Sequence, residues 1–447
     1  MARKKDIVVK KRGGSTPPPA PRAKEKPLPA PEPDPELPAG TPELTVVPRK
    51  KRRRRHTVLR IFLRLLVVAA LLVTGVWVWK NWDTLAPESL VIWLEEKLSG
   101  GEKGGGFPVE ITGSEIAAML PSGGNAALLG DTSLMLYNSR GGQIDSRSHG
   151  YAKPILKTAG GYILVAESGG NRFRLETRSE TLLDVPSSNQ KTENGKTFQV
   201  LDIALTGKIV TAAVDAKGNV ALVTGSSQSH MSEVAVYDKH GKRKYSRQNA
   251  EIIAVDVAFS PDGKHLALAG IAASDGAVKS SVQIFDMSST SSAPVKEYGD
   301  VDVMLIGVEY FPGGTVVAVG DTAAWIMNPA GALFEKHTYE EDELIGYTVG
   351  ETSAGLVLRR YGSTDGGRLL VLNPTGDVAY EEAFQGAYRH VAPAKDGFWL
   401  LTGDSLKRAG VKGFEKTAQV PGDGRLVCAL GDKAVVMGLT TLTLYDP

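Results

Sequence analysis

The chain has a single cysteine, Cys428, in 447 residues. No intramolecular disulfide can form, and a cysteine-based structural zinc site is excluded too. A large domain outside the cytoplasm would have to hold together by core packing alone. That suits a bacterial envelope protein better than a secreted eukaryotic domain. Histidine is also scarce: His56, His149, His230, His240, His265, His337 and His390 show no His-x-His or His-x-x-x-His spacing, so no metal centre is expected. Aromatic residues make up only 7% of the chain, and long helix-forming stretches are few. Glycine, by contrast, occurs fifty times and proline twenty-five times, a composition that favours many turns and many short strands.

The net charge of +2 conceals an asymmetry. Residues 1–56 hold sixteen Lys/Arg against six Asp/Glu, so the remainder carries more acid than base. Whole-chain basicity is therefore no sign of nucleic-acid binding. From Pro17 to Pro48 the chain is proline-rich and too polar to bury a core, so residues 1–56 read as a disordered tail with local polyproline II. A spacer accounts for it. A docking strip, or phosphorylation at Thr16, Thr41 or Thr45, is the functional alternative.

A basic run from Lys50 to Arg55 precedes nineteen mostly apolar residues, Ile61 to Trp79, whose single charge is Arg64. At 1.5 Å per residue such a helix spans the roughly 30 Å of bilayer hydrocarbon. Arg60 and Arg64 are near enough to the start to snorkel. Trp77, Trp79 and Trp82 gather at the other end, where indoles favour the interface. Residues 57–82 are thus expected to be a transmembrane helix, with the N-terminus cytoplasmic and the bulk of the chain outside the plasma membrane. The basic run then also attracts anionic lipid. Residues 83–106 read as a juxtamembrane helix, its apolar face carrying Leu90, Val91, Leu94 and Leu98, followed by a glycine-rich linker.

Residues 107–447 repeat. A Gly/Asp/Asn turn leading into an apolar strand recurs as SGGNAALLG (122–130), AGGYILVAE (159–167), AKGNVALVTG (216–225), PDGKHLALAG (261–270), PGGTVVAVG (312–320), SAGLVLRR (353–360), KDGFWLLTG (395–403) and GDKAVVMG (431–438). A second apolar strand follows each, as in LMLYN (134–138), VAVYD (234–238), VQIFD (282–286) and LTLYD (442–446). A period of about forty residues is that of a propeller blade. The pattern predicts an all-β propeller of eight four-stranded blades, strands a to d, innermost to outermost. Seven stays open, because the second unit carries an insertion (187–205) and the seventh c strand is poor. The chain stops just after the eighth c strand, so residues 107–111 are expected to supply the missing d strand and close the ring.

The segment VDVAFSPDGKHLALAG…VQIFD (255–286) resembles a WD40-type blade, and the eight-blade layout is similar to quinoprotein-type propellers. Together with the basic tail, anchor and disulfide-free propeller, the chain from about residue 50 onward resembles uncharacterised single-pass membrane-anchored β-propeller proteins of Gram-positive, clostridial-type bacteria. The quinoprotein likeness implies a quinone-dependent dehydrogenase with regularly placed tryptophans. The propeller has only Trp325 and Trp399.

No catalytic, cofactor-binding or metal constellation emerges from the residues. Cys428 reads as a small core residue. Ser260-Pro261-Asp262-Gly263 reads as a β-turn rather than a sialidase Asp box. Glu340-Glu341-Asp342-Glu343 reads as a solvated loop, or else as a cation or basic-partner site. In a propeller the d–a and b–c connections emerge on one face and the a–b and c–d turns on the other. A closing strand at 107–111 must begin on the second face, so the first should point away from the bilayer. It carries the longer loops, 226–231, 272–280, 340–343 and 361–367, and loops are where binding resides. The expected function is a non-enzymatic binding or scaffold module at the cell envelope, with a protein or envelope ligand at the distal face or the funnel. The alternatives are a quinone-dependent or glycan-active enzyme, which a ring of acids in the funnel would favour, and a transmembrane sensor whose tail is the output.

Overall fold

The computed structural model describes residues 104–185 and 203–446, less positions 204, 275, 290, 292, 330 and 331, with 191–193, 196–198, 64–68 and 72. The chain divides into a unit ending at Leu72 and one beginning at Val73. Within the first, residues 64–68 and 72 are helical and exposed. Among the described residues no helix is long and apolar enough to cross a membrane. The proline-rich tail, the run from Lys50 to Arg55, His56, the rest of the anchor and residues 83–103 lie outside the described residues.

The second unit contains eight four-stranded antiparallel sheets. Seven are built from consecutive strands, starting with Ile116–Ser122, Asn125–Gly130, Ser133–Tyr137 and Gln143–Ser148 in blade 1. The eighth takes Leu426–Leu430, Lys433–Met437 and Thr441–Tyr445 from the C-terminal end and Val109–Glu110 from the other. Val109 faces Leu442, and Glu110 faces Thr441. The Ile111 amide then donates to the Thr440 carbonyl at 2.6 Å. The edge of the last c strand is thereby paired. The Gly106 amide donates to the carbonyl of Arg140, in the c–d turn of blade 1, so the chain enters on the a–b/c–d face.

The b strands are apolar on both sides because two cores need them. Along Asn125–Gly130, Ala126 and Leu128 pack against blade 8, while Ala127 and Leu129 pack against blade 2. Period-two alternation thus feeds two different interfaces. One apolar cluster fills each of the eight gaps between neighbouring blades, the gap between blades 8 and 1 included. Cys428 lies in that closing cluster, wholly buried.

Two local readings change. Residues 272–280 are not an irregular loop. Strands His265–Ser274 and Ala277–Asp286 stay paired as far as Ser274 and Ala277, so the b–c connection of blade 4 is a long hairpin. Its alternation of small and β-branched residues is itself strand sequence. Likewise Asp342 and Glu343 begin strand a of blade 6, Asp342–Val349, instead of lying in a loop. The insertion after blade 2 contains a hairpin, Lys191–Glu193 with Lys196–Phe198.

Candidate functional site

The a strands line the central funnel, and six of them share one irregularity. Near the d–a end a bulge displaces one residue, in blades 1, 3, 4, 5, 6 and 7. The residue after each bulge is Ala118, Thr211, Asp256, Gly307, Gly346 or His390, and from blade 3 onward it contacts the next blade. Thr211 Oγ1 donates to Asp256 Oδ1 at 3.2 Å, and the Val308 amide donates to Asp256 Oδ2 at 3.1 Å. Gly307 and Gly346 lie flat under the hydroxyls of Tyr347 and Tyr388, leaving no room for a Cβ. The Val427 amide meets His390 Nδ1 at 3.4 Å. One position, read around the ring, stitches the inner strands together.

Asp256 therefore serves structure, yet its charge also acts on Lys157 of blade 2 and Glu309 of blade 5. Lys157 and Glu309 line a cavity of about 340 Å³ that opens among the a–b turns, with Phe259, Pro261, Tyr310 and Pro312. A second hollow of about 520 Å³ adjoins it through Tyr310 and Pro312 and extends to Glu351, Lys395 and Asp432. Burial pushes Glu309 up to about 7; Lys157 opposes that rise and Asp256 adds to it. Burial works against the charge of Lys157, but Asp256 and Glu309 outweigh it and its pKa is raised. Chemically, Glu309 can gain or lose a proton near neutrality.

The opposite face differs in character. Val210 and Met231 of blade 3, Ile253 and Val278 of blade 4, and Val301, Met304 and Ile306 at the entry to blade 5 are all between 38% and 52% exposed. Each lies at the d–a/b–c end of its blade. Hydrogen bonds and strand pairing link them: Ser232, next to Met231, donates to the carbonyl of Ile252. Ile253 pairs with Ile271, Ile271 with Ser280, and Ser280 Oγ accepts from the Leu305 amide. Ser280 also pairs with Asp300, just before Val301. All seven apolar side chains lie at one end of three adjacent blades.

The residues singled out from the sequence do not converge. Ser260–Gly263 is a turn closed by the Gly263 amide on the Ser260 carbonyl at 2.8 Å. Burial pushes the Cys428 thiol up to about 12. Trp325 and Trp399 are core residues of separate clusters. His149 bridges the Gly130 carbonyl and the Tyr151 amide, His230 sits beside Ser227 and Ser229, and His337 meets the Gly376 carbonyl. His240 is in a turn, and the His265 amide donates to Ser260 Oγ. The acidic quartet is met by arginines: Arg359 pairs with Glu343, Arg360 with Glu341, and Arg368 with Asp342. Among the described residues no three His, Cys, Asp or Glu side chains are grouped to hold a metal. The funnel charges were missed, although Lys157 and Glu309 each stand as a lone charge shortly before a Gly turn in an inner strand.

A family of unknown function, DUF5711, has a model that matches residues 192–424, just over half of the chain. The chain belongs to that family. No curated protein matches it. Among solved structures it is similar to BamB from Moraxella catarrhalis, at 11% identity over 76% of this chain and 100% of that one, TM-score 0.45. It is also similar to Kuenenia stuttgartiensis hydrazine synthase, at 12% over 77% and 99%, TM-score 0.42. The Myceliophteria thermophila Cps50 (Swd1) β-propeller domain matches at 10% over 76% and 100%, TM-score 0.46.

Proposed function

We propose that this member of the DUF5711 family is a non-enzymatic, membrane-anchored binding or scaffold module of the cell envelope. Its N-terminus is cytoplasmic, its propeller extracellular, and its partner a protein docking on the d–a/b–c face. The observation that carries the docking is the run of half-exposed apolar side chains from Val210 to Ile306 across blades 3 to 5. Aggregated apolar surface at one end of a soluble fold is disfavoured unless something covers it. The anchor reading rests on the apolar residues from Ile61 to Trp79 behind the basic run from Lys50 to Arg55. The chain enters the propeller on the a–b/c–d face, opposite the apolar one.

Chemical crosslinking on intact cells tests the docking. Val278→Asp combined with Met304→Asp is expected to remove a discrete crosslinked partner. Val411→Asp, an exposed apolar residue on the other face, should retain it. Unchanged crosslinking of the double variant sinks the reading.

A further inference from the structure

Two carboxylates and one ammonium group act on one another in the funnel. Asp256 is held by Thr211 and by the Val308 amide. Neither the Lys157 ammonium nor the Glu309 carboxyl makes a hydrogen bond or ion pair with a described residue; each acts on the other, and on Asp256, only through space. The remaining charged groups of the cavity are occupied. Asp215 accepts from the Lys217 amide, the Asn219 amide and Asn219 Nδ2, and Lys217 Nζ donates to the Asp262 carbonyl at 2.7 Å. From blade 6, Tyr347 brings a hydroxyl that burial keeps neutral. With Glu309 ionised the cluster is one positive charge short.

We propose that the cavity beside Glu309 is a binding site for a small organic amine, entered from the a–b face, whose ammonium group pairs with the Glu309 carboxylate. The cavity of about 340 Å³ is at the small end of ligand sites, suited to a compact molecule. Phe259 and Tyr310 contribute aromatic rings to its wall, and ammonium groups favour ring faces. A small anion fits worse, since contact with Lys157 brings it against Asp256 and Glu309. Lys157 holds the empty site together by sharing its charge between both acids. An incoming amine relieves it of Glu309. Because Glu309 is only partly ionised near neutrality, binding releases a fraction of a proton there. This site lies at the end of the funnel away from the docking face and stands independently of it.

Isothermal titration calorimetry of the full chain decides the matter, with putrescine, ethanolamine and acetate as probes. At about pH 8 both amines should bind saturably and acetate should not. Near pH 7 the heats in two buffers of different ionisation enthalpy should reveal proton release. Glu309→Gln is expected to weaken the amines roughly tenfold or more, and Lys157→Met to strengthen them roughly tenfold, the scale of one partly screened charge pair. Absence of saturable amine binding to folded wild type overturns the proposal, as does equal affinity in Glu309→Gln or a preference for acetate. Should Glu309→Gln fail to fold, unaltered amine affinity in Lys157→Met overturns it on its own.

Discussion

At the scale of single residues, the inner strands put charge and close contact where the ring is narrowest. Glu309 has a folded pKa of about 7 against 4.5 for the free side chain. Below the lower value both folded and unfolded chains hold the proton, and stability is at its full level. As pH rises toward 7 the unfolded chain ionises first, so stability falls, by at most about 3 kcal/mol, and then levels off. Glu309→Gln lacks this decline. Urea midpoints between about pH 4.5 and 8 should show the variant gaining on wild type as pH rises, and parallel curves would contradict the assignment. Gly346 makes a different demand. A methyl group there collides with the Tyr388 hydroxyl, so Gly346→Ala should lose roughly 1–3 kcal/mol. Removing the hydroxyl as well, in Gly346→Ala/Tyr388→Phe, should recover part of that loss in a double-mutant cycle.

At the scale of strands and blades, different devices hold different interfaces. Blades 3 to 8 are stitched at the post-bulge position, whereas blades 1 and 2 are joined by buried charge. Arg147 of blade 1 pairs with Asp145 and with Glu176 of blade 2 at 2.6 Å each, and donates to the Thr177 carbonyl at 2.9 Å. Arg174 reaches the other oxygen of Glu176 at 3.1 Å. Breaking one side of such a network strands the other, so Arg147→Met should cost roughly 3–5 kcal/mol in urea unfolding. Arg147→Met with Glu176→Gln should cost less than the single change. The closing strand invites a third test. Replacing residues 107–111 with a Gly/Ser stretch removes the pairing of Val109 and Glu110 and bares the edge of Thr441–Tyr445. Size-exclusion chromatography should then show self-association through that edge.

At the scale of the whole molecule, the architecture was legible in the sequence because of the b strands. Each is buried on both faces by two neighbours, so an apolar run after a Gly turn recurs eight times; only the insertion after blade 2 and the poor seventh c strand left seven blades open. The seventh c strand, Ser405–Ala409, looked poor because Lys407 and Arg408 interrupt it. Its pairing with Phe398–Leu401 is intact, and both charges stay half-buried, Lys407 over the Phe414 ring at 5.5 Å and Arg408 over the Trp399 ring at 5.2 Å. The candidate sites were not legible. Whether Lys157, Asp256 and Glu309 share a space depends on the bulges and on closing a ring of blades far apart in sequence. The apolar face was hidden for a related reason: Val210, Ile253 and Ile306 stand in strand sequence like any core residue, and only the fold reveals that they stay half-exposed among the described residues. The longer loops and the half-exposed apolar residues share one face, but in blade 4 the supposed loop is a hairpin.

The proposed function places the propeller outside the membrane with its d–a/b–c face occupied. Cys428 is wholly buried and its thiol is pushed up to about 12, so a membrane-impermeant maleimide should find almost no background. Met304 on the docking face and Phe334 on the other are matched in exposure, at 48% and 47%, so Met304→Cys and Phe334→Cys can be compared directly. The decisive measurement is the labelling rate of each variant on intact cells against the same variant purified. Both should label on cells, Phe334→Cys at the purified rate and Met304→Cys markedly more slowly. Failure of both to label on cells would contradict the outside placement, and equal, unprotected labelling of both would contradict the occupied face.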